Sequence, residues 1–266
     1  MIEHALRGVR DGLLGLAFPE DCRVCGESVE SWDDGVACSR CWNDPSITRL
    51  LVHSLCDKCG APMASGVSRR TAGSMKEDNR FCGQCTAQAF TKARACGLYS
   101  GTLEASILFL KSSPHVCPRL RRLLCATFGA NRSVIDCEIV VPVPLHRARE
   151  KQRGFNQAVI IAEVIASNFD LTLDKHSLER IKPTERHRAG MDAADRAKSV
   201  ELAFKVATSH SLNGASVLLV DDVMTTGSTV SAASRALLDA GALRVNVLTI
   251  ARVDNTARVN KNVPSR

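Results

Sequence analysis

Val217, Leu218, Leu219 and Val220 form a short unbroken apolar run, the pattern of a parallel strand covered on both faces. From Ser228 onward the apolar residues Val230, Ala233, Ala236, Leu237 and Ala240 recur at helical spacing until Gly241 stops the helix. A second strand-like segment, Val245 to Ile250, follows, so the three segments read as a right-handed parallel crossover. The loop after Val220 then lies at the carboxyl edge of a sheet, where open α/β folds bind ligands. Upstream, the same alternation predicts a strand at residues 93–99, helices at 101–111 and 118–128, a strand at 138–143 and a helix starting near Phe155. The predicted class is α/β: a parallel sheet with helices on both faces.

The pattern changes near residue 90. Upstream lie eight of the twelve Cys, both Trp and little periodic apolar character, whereas strand and helix signals alternate downstream. A chain of 266 residues with 45% hydrophobic content buries a real core and fits two domains. The expected organisation is a docking helix at 1–20, a domain at 21–90 whose four Cys-x2-Cys pairs mark a double zinc ribbon, an α/β domain at 91–252 and a disordered tail at 253–266. In the first of these, Ile2, Leu6, Val9, Leu13 and Leu16 share one helical face, while Glu3, Arg7, Arg10 and Asp11 interrupt any signal-peptide core. No stretch is long and uncharged enough to span a membrane, and the expectation is a cytoplasmic protein. The rival reading of the first helix is attachment to a membrane surface.

The formal charge of +7 and pI near 8.9 favour anionic partners, nucleotide or nucleic acid, though only mildly. An aromatic content of 4%, with one Tyr, argues against an extensive base-stacking surface. No G-x-x-x-x-G-K-[ST] run occurs, which disfavours an ATP-driven motor in this chain.

The strongest chemical signal follows the first apolar run: Asp221, Asp222, Val223, Met224, Thr225, Thr226, Gly227, Ser228 and Thr229. Backbone N–H groups across Thr225 to Thr229, a helix N-terminus and hydroxylated side chains suit a dianionic phosphate. Asp221 and Asp222, expected at the strand tip, accept hydrogen bonds from vicinal hydroxyls or help to hold a hydrated Mg2+. A sugar phosphate satisfies both halves at once. The plain alternative is a strand-turn-helix whose acids merely cap and whose Thr and Gly merely turn.

Cysteine spacing gives the second signal. Cys22-x2-Cys25 precedes Cys38-x2-Cys41, and Cys56-x2-Cys59 precedes Cys82-x2-Cys85, each set having the spacing of a tetrahedral zinc site built from two knuckles. Chain order suggests two structural Zn2+ ions, with interleaved pairing left open. Gly26 and Gly60 directly follow their pairs, where tight knuckles need small residues. Redox dithiols would want an adjoining βαβ pattern, and secreted disulfides a signal peptide. Four thiolates close a coordination sphere, so the expected role is scaffold or docking rather than catalysis. Cys96, Cys117, Cys125 and Cys137 read as small buried hydrophobes, and residues 65–80 as an exposed insert.

A third segment follows the strand at 138–143. Pro142 and Pro144 cannot donate ladder bonds, so the strand ends there, and a basic loop carrying Leu145, His146, Arg147, Arg149, Lys151 and Arg153 is expected. Cations at that edge suit a multiply charged anion.

Residues Val220 to Thr229, Val-Asp-Asp-Val-Met-Thr-Thr-Gly-Ser-Thr, resemble the signature that binds 5-phosphoribosyl 1-pyrophosphate (PRPP) in type I phosphoribosyltransferases. The segments Val141-Pro-Val-Pro-Leu-His146 and Arg153-Gly-Phe-Asn-Gln-Ala158, behind a Cys-rich front end, resemble the ComF branch. That resemblance implies Mg2+-dependent phosphoribosyl transfer. Asp221 and Asp222 would hold the ribose diol and Thr225, Thr226, Gly227, Ser228 and Thr229 the 5-phosphate, with Val223 and Met224 also among the PRPP-binding residues, and Pro144, Leu145, His146, Arg149 and Arg153 would face pyrophosphate. It also implies a competence-associated factor that handles single-stranded DNA beside a DNA-uptake motor. Residues 180–204 resemble the family's mobile lid but lack its usual Gln and Asn, while His187, between Arg186 and Arg188, reads as a surface residue. Lys111 sits in a family-like Leu-Lys pair followed by Ser112, Ser113 and Pro114 instead of an aromatic and a glycine, and it is given no catalytic role.

Overall fold

The computed structural model describes residues 20–44, 55–63, 80–83, 85–182, 203–207 and 212–254. The expected first helix, most of the insert at 65–80, the lid with His187 and nearly all of the tail fall outside these residues.

Seven strands are described: β1 (Lys92–Leu98), β2 (Ile139–Pro142), β3 (Thr172–Leu173), β4 (Leu178–Arg180), β5 (Phe204–Val206), β6 (Ser216–Met224) and β7 (Arg244–Arg252). The helices are α1 (Ser39–Trp42), α2 (Gly101–Leu110), α3 (Pro118–Ala130), α4 (Arg147–Arg153), α5 (Gln157–Phe169) and α6 (Ser228–Asp239). β1, β7, β6, β2 and β3 lie side by side in that order, every pair parallel, while β4 and β5 form a separate antiparallel hairpin. β6 is central because Val217 to Val220 are all fully buried, a run that only a strand covered on both faces tolerates.

Alternation along β6 divides the core. Leu218 and Val220 join α2, α3 and α5 on one face through Leu103, Ile107, Leu124, Phe128 and Ile161. Val217 and Leu219 join α6 and the β4–β5 hairpin on the other through Val230, Leu237, Leu178 and Phe204. The Cys-rich segments feed both layers: Cys22, Cys38 and Trp42 belong to the first, Cys56, Cys59 and Cys85 to the second. Cys96, Cys117 and Cys137 are buried as expected, whereas Cys125 is only half-buried.

The order reverses beside β6. β2 leads through α5 to β3 on one side, and β6 leads through α6 to β7 on the other. The crevice outside the carboxyl ends of β6 and β2 is therefore the topological switch point, the place where open parallel sheets take their ligands.

Candidate functional site

Two segments border that crevice. After β6, Gly227 takes a left-handed conformation (φ 81°) as the N-cap of α6, a geometry a Cβ would strain. The turn is braced by Thr226 Oγ1 against Ser228 Oγ at 3.0 Å, and the Ser231 N–H donates to the Gly227 carbonyl at 2.8 Å. Thr225, Thr226 and Ser228 are exposed, and the opening N–H groups of α6 have no intrahelical acceptor, so this end suits an anion. Val223 and Met224 pack into the two opposite core layers, which leaves their backbone alone to face a ligand.

The acids do not sit at the strand tip. β6 keeps its pairing with β7 through Val223 and Met224, so Asp222 and Asp221 lie two and three residues inside it. Strand alternation gives them different surroundings. Asp222 is buried (7% exposed); its Oδ2 accepts from Gln157 Nε2 at 3.2 Å and stands 3.6 Å from Lys111 Nζ. Arg153 donates in turn to Gln157 Oε1. Asp221 is half-buried by area though enclosed by surrounding protein, and burial together with the Asp222 charge raises its proton affinity well above the usual carboxylate range. The nearby Arg180 guanidinium partly offsets this, while burial lowers the pKa of Arg180 itself.

The basic segment after β2 is a helix, not a loop. His146 Nδ1 accepts from the Ala148 N–H at 3.3 Å, and Gly154 (φ 83°) closes the far end in the left-handed region, so α4 is capped at both ends. Its charges hid the helix because α4 buries no residue and so carries no apolar stripe. Pro144, Leu145 and His146 line its start half-buried, and Arg149 is exposed. Arg149 lies close enough to Arg153 and Arg180 to depress both their pKa values alongside burial. Asn156, the N-cap of α5, donates to the Val143 carbonyl at 3.0 Å and so ties β2 to the helix that presents Gln157.

Lys111, given no role from sequence, is thus a direct partner of Asp222 at the C-terminal end of α2. The Leu-Lys pair was the available signal, and the departure after it hid its use.

The eight paired cysteines gather into two clusters, Cys22, Cys25, Cys38 and Cys41, and Cys56, Cys59, Cys82 and Cys85, with all ligand atoms of each within 4.8 Å. Sulfur separations of 3.7 Å in the first and 3.6 Å in the second match a tetrahedron around zinc, where Zn–S bonds of about 2.3 Å put sulfurs roughly 3.8 Å apart. The knuckles repeat in detail. Gly26 N–H donates to the Cys22 carbonyl and Gly60 N–H to the Cys56 carbonyl, both at 2.8 Å.

Both clusters are fastened to the sheet domain. Arg119 of α3 donates to Asp34 Oδ1 at 2.9 Å and to Asn43 Oδ1 at 2.6 Å, lying over the Trp42 ring at 5.7 Å. At the other cluster, Arg94 donates to the Asp57 carbonyl at 3.3 Å and Arg252 to the Cys59 carbonyl.

Residues 13–72 match the double zinc ribbon domain model and residues 156–265 the phosphoribosyl transferase domain model. Competence protein F of Haemophilus influenzae is 35% identical over 116 residues, 43% of this chain and 50% of that one, and competence protein ComFC of Bacillus subtilis 35% over 118 residues, 43% and 44%. The chain is thus similar to the ComF competence proteins. Its matches span about half of those two relatives' own lengths. The DNA utilization protein YhgH of Escherichia coli is 27% identical over 227 residues, 76% of this chain and 99% of that one. Among solved structures, glutamine PRPP amidotransferase from B. subtilis overlaps 55% of this chain and 30% of its own at 19% identity, with a TM-score of 0.37. The double zinc ribbon match ends before Cys82 and Cys85; it is the geometry that gathers them with Cys56 and Cys59. Among the described residues, no helix is long and apolar enough to cross a membrane.

Proposed function

We propose that this protein, like the ComF proteins it resembles, is phosphoribosyltransferase-like, and that it binds PRPP with Mg2+ and transfers its phosphoribosyl group to a nitrogen acceptor. The observation that carries the reading is the Thr225–Thr229 turn at the α6 N-terminus, directly after paired carboxylates at the switch point. The turn takes the 5-phosphate through N–H groups and hydroxyls. Asp221 and Asp222 accept from the ribose hydroxyls, and Lys111 and Gln157 hold Asp222 in place for that. Two carboxyls that repel one another, one with a raised proton affinity, fit a site completed by a divalent cation. When bound, Mg2+ supplies charge neutralisation of the pyrophosphate. Arg149, Arg153 and Arg180 gather beside the acids, where they oppose the negative charge that develops as the C1–O bond breaks. The protein works in the cytoplasm.

The test is calorimetric titration of the zinc-loaded chain with Mg-PRPP. Wild type binds, and Asp222→Asn weakens binding at least tenfold; a folded wild type that takes up no PRPP ends the proposal.

A second reading rests on α4, which exposes Arg147, Arg149 and Lys151 beside the site, and on the competence and DNA-utilization names of the relatives. In it, the same site contacts single-stranded DNA or senses nucleotide without turnover, next to a DNA-uptake motor. Affinity for single-stranded DNA that falls steeply with salt supports this reading, and salt-insensitive binding opposes it.

A further inference from the structure

The second cysteine cluster reaches the phosphate turn through one side chain. Gln88 follows Cys85 by three residues, and its N–H donates to the Cys85 carbonyl at 3.1 Å, so its backbone is fixed by the knuckle itself. Lys58, between Cys56 and Cys59, donates to the Gln88 carbonyl at 2.8 Å. From this base the side chain extends across to Thr226, where Nε2 donates to the backbone carbonyl at 3.3 Å. A carbonyl accepts only, which fixes the amide orientation. The next residue repeats the link: Ala89 N–H donates to Ser231 Oγ at 2.9 Å, on the first turn of α6.

The contact is close as well as polar. A Cβ on Gly227 would stand 3.4 Å from Gln88 Oε1 and 3.7 Å from Nε2, so the amide lies flat against the left-handed glycine. Gln88 Oε1 is buried and has no hydrogen-bond partner among the described residues. A buried acceptor left unpaired is unfavourable, and here it is kept at the edge of an anion-binding turn.

We propose that Gln88 is a positioning residue for the phosphate turn, holding Thr226 so that the backbone N–H groups after it converge on the terminal phosphate of a ribose phosphate. The second zinc knuckle is thereby part of the ligand site and not only a scaffold. The inference rests on the phosphoribosyl reading of the turn. Its physical basis is preorganisation: a turn already held in its binding shape loses less freedom when the anion arrives.

Gln88→Met keeps the length of the side chain and removes both polar atoms, while Gln88→Glu keeps the shape and places an acceptor against the Thr226 carbonyl. Thr86→Ala is the control, since Thr86 Oγ1 donates within the knuckle, to the Gly83 carbonyl at 3.0 Å. The full zinc-loaded chains are titrated with ribose 5-phosphate, and amide hydrogen exchange is followed over residues 225–231. Expected results for Gln88→Met are wild-type zinc content, faster exchange in that segment and about tenfold weaker binding, with Gln88→Glu weaker still and Thr86→Ala unchanged. Wild-type affinity and exchange in Gln88→Met overturn the proposal, as does an equal loss in Thr86→Ala. If wild type itself binds no ribose phosphate, the phosphoribosyl reading falls, and exchange alone decides Gln88: acceleration keeps the tether, no change removes it.

Discussion

Arg119→Ala, compared with Arg122→Ala, measures how far the first cysteine cluster is built into the core. Both arginines lie on α3 and face neighbouring acids at similar range: Arg119 meets Asp34 at 2.9 Å and Arg122 meets Asp33 at 3.1 Å. Burial separates them, with side-chain exposures of 26% and 7% in the first pair and 60% and 26% in the second. Removing one partner of a fully buried ion pair costs roughly 3–5 kcal/mol, because a charge is left without compensation. Water reaches part of Arg119, which trims that figure, while the lost bond to Asn43 and the contact over Trp42 add to it. We expect about 2.5 kcal/mol for Arg119→Ala. In a chain of this size that lowers Tm by roughly 5 °C. The exposed pair should cost below about 1 kcal/mol, hence no more than roughly 2 °C. Calorimetric melting of both variants, each checked for zinc content, is the assay. Equal shifts would refute the argument from burial, and a drop below 2 °C for Arg119→Ala would mean that the cluster sits on the domain without being part of it.

Two further outcomes follow from the two faces of β6. Asp221→Asn should raise stability in urea at about pH 7.5 and leave it near wild type at about pH 4, because the raised folded-state pKa destabilises the ionised form only as pH climbs above the unfolded carboxylate range; a gain that grows toward acid pH would contradict the sign. The same variant should lose PRPP affinity, the trade expected of a buried carboxyl retained for a ligand at a cost in stability. Chelator should withdraw zinc in two phases, first from the cluster whose Cys25 is exposed and later from the one whose Cys56, Cys59 and Cys85 are buried, with mass spectrometry of the native protein counting the ions. A single phase would argue against unequal burial as the controlling factor.

The parts legible from residue order were those whose chemistry is local. A turn that grips phosphate needs its Gly, Ser and Thr in sequence after a buried strand, and a zinc knuckle needs its cysteines two residues apart, so both were visible as spacing. The parallel sheet was visible too, since a strand covered on both faces must be an unbroken apolar run, as at Val217 to Val220. Other features depended on what β6 brings alongside. Asp222 receives Lys111 from the end of α2 and Gln157 from the start of α5, partners that no local pattern joins to it. α4 carries no apolar face, so its caps rather than its periodicity make it a helix. Continued pairing with β7 carried β6 past the acids, a tertiary effect to which the Asp-Asp pair gives no clue.

By itself, then, the sequence determined the kinds of chemistry available, because bond-forming groups within one turn are fixed by their spacing. Which acid is buried against a lysine, that the cysteine pairs gather in chain order and do not interleave, and that Gln88 touches the phosphate turn were decided only by the fold, because these contacts join segments that no local pattern ties together.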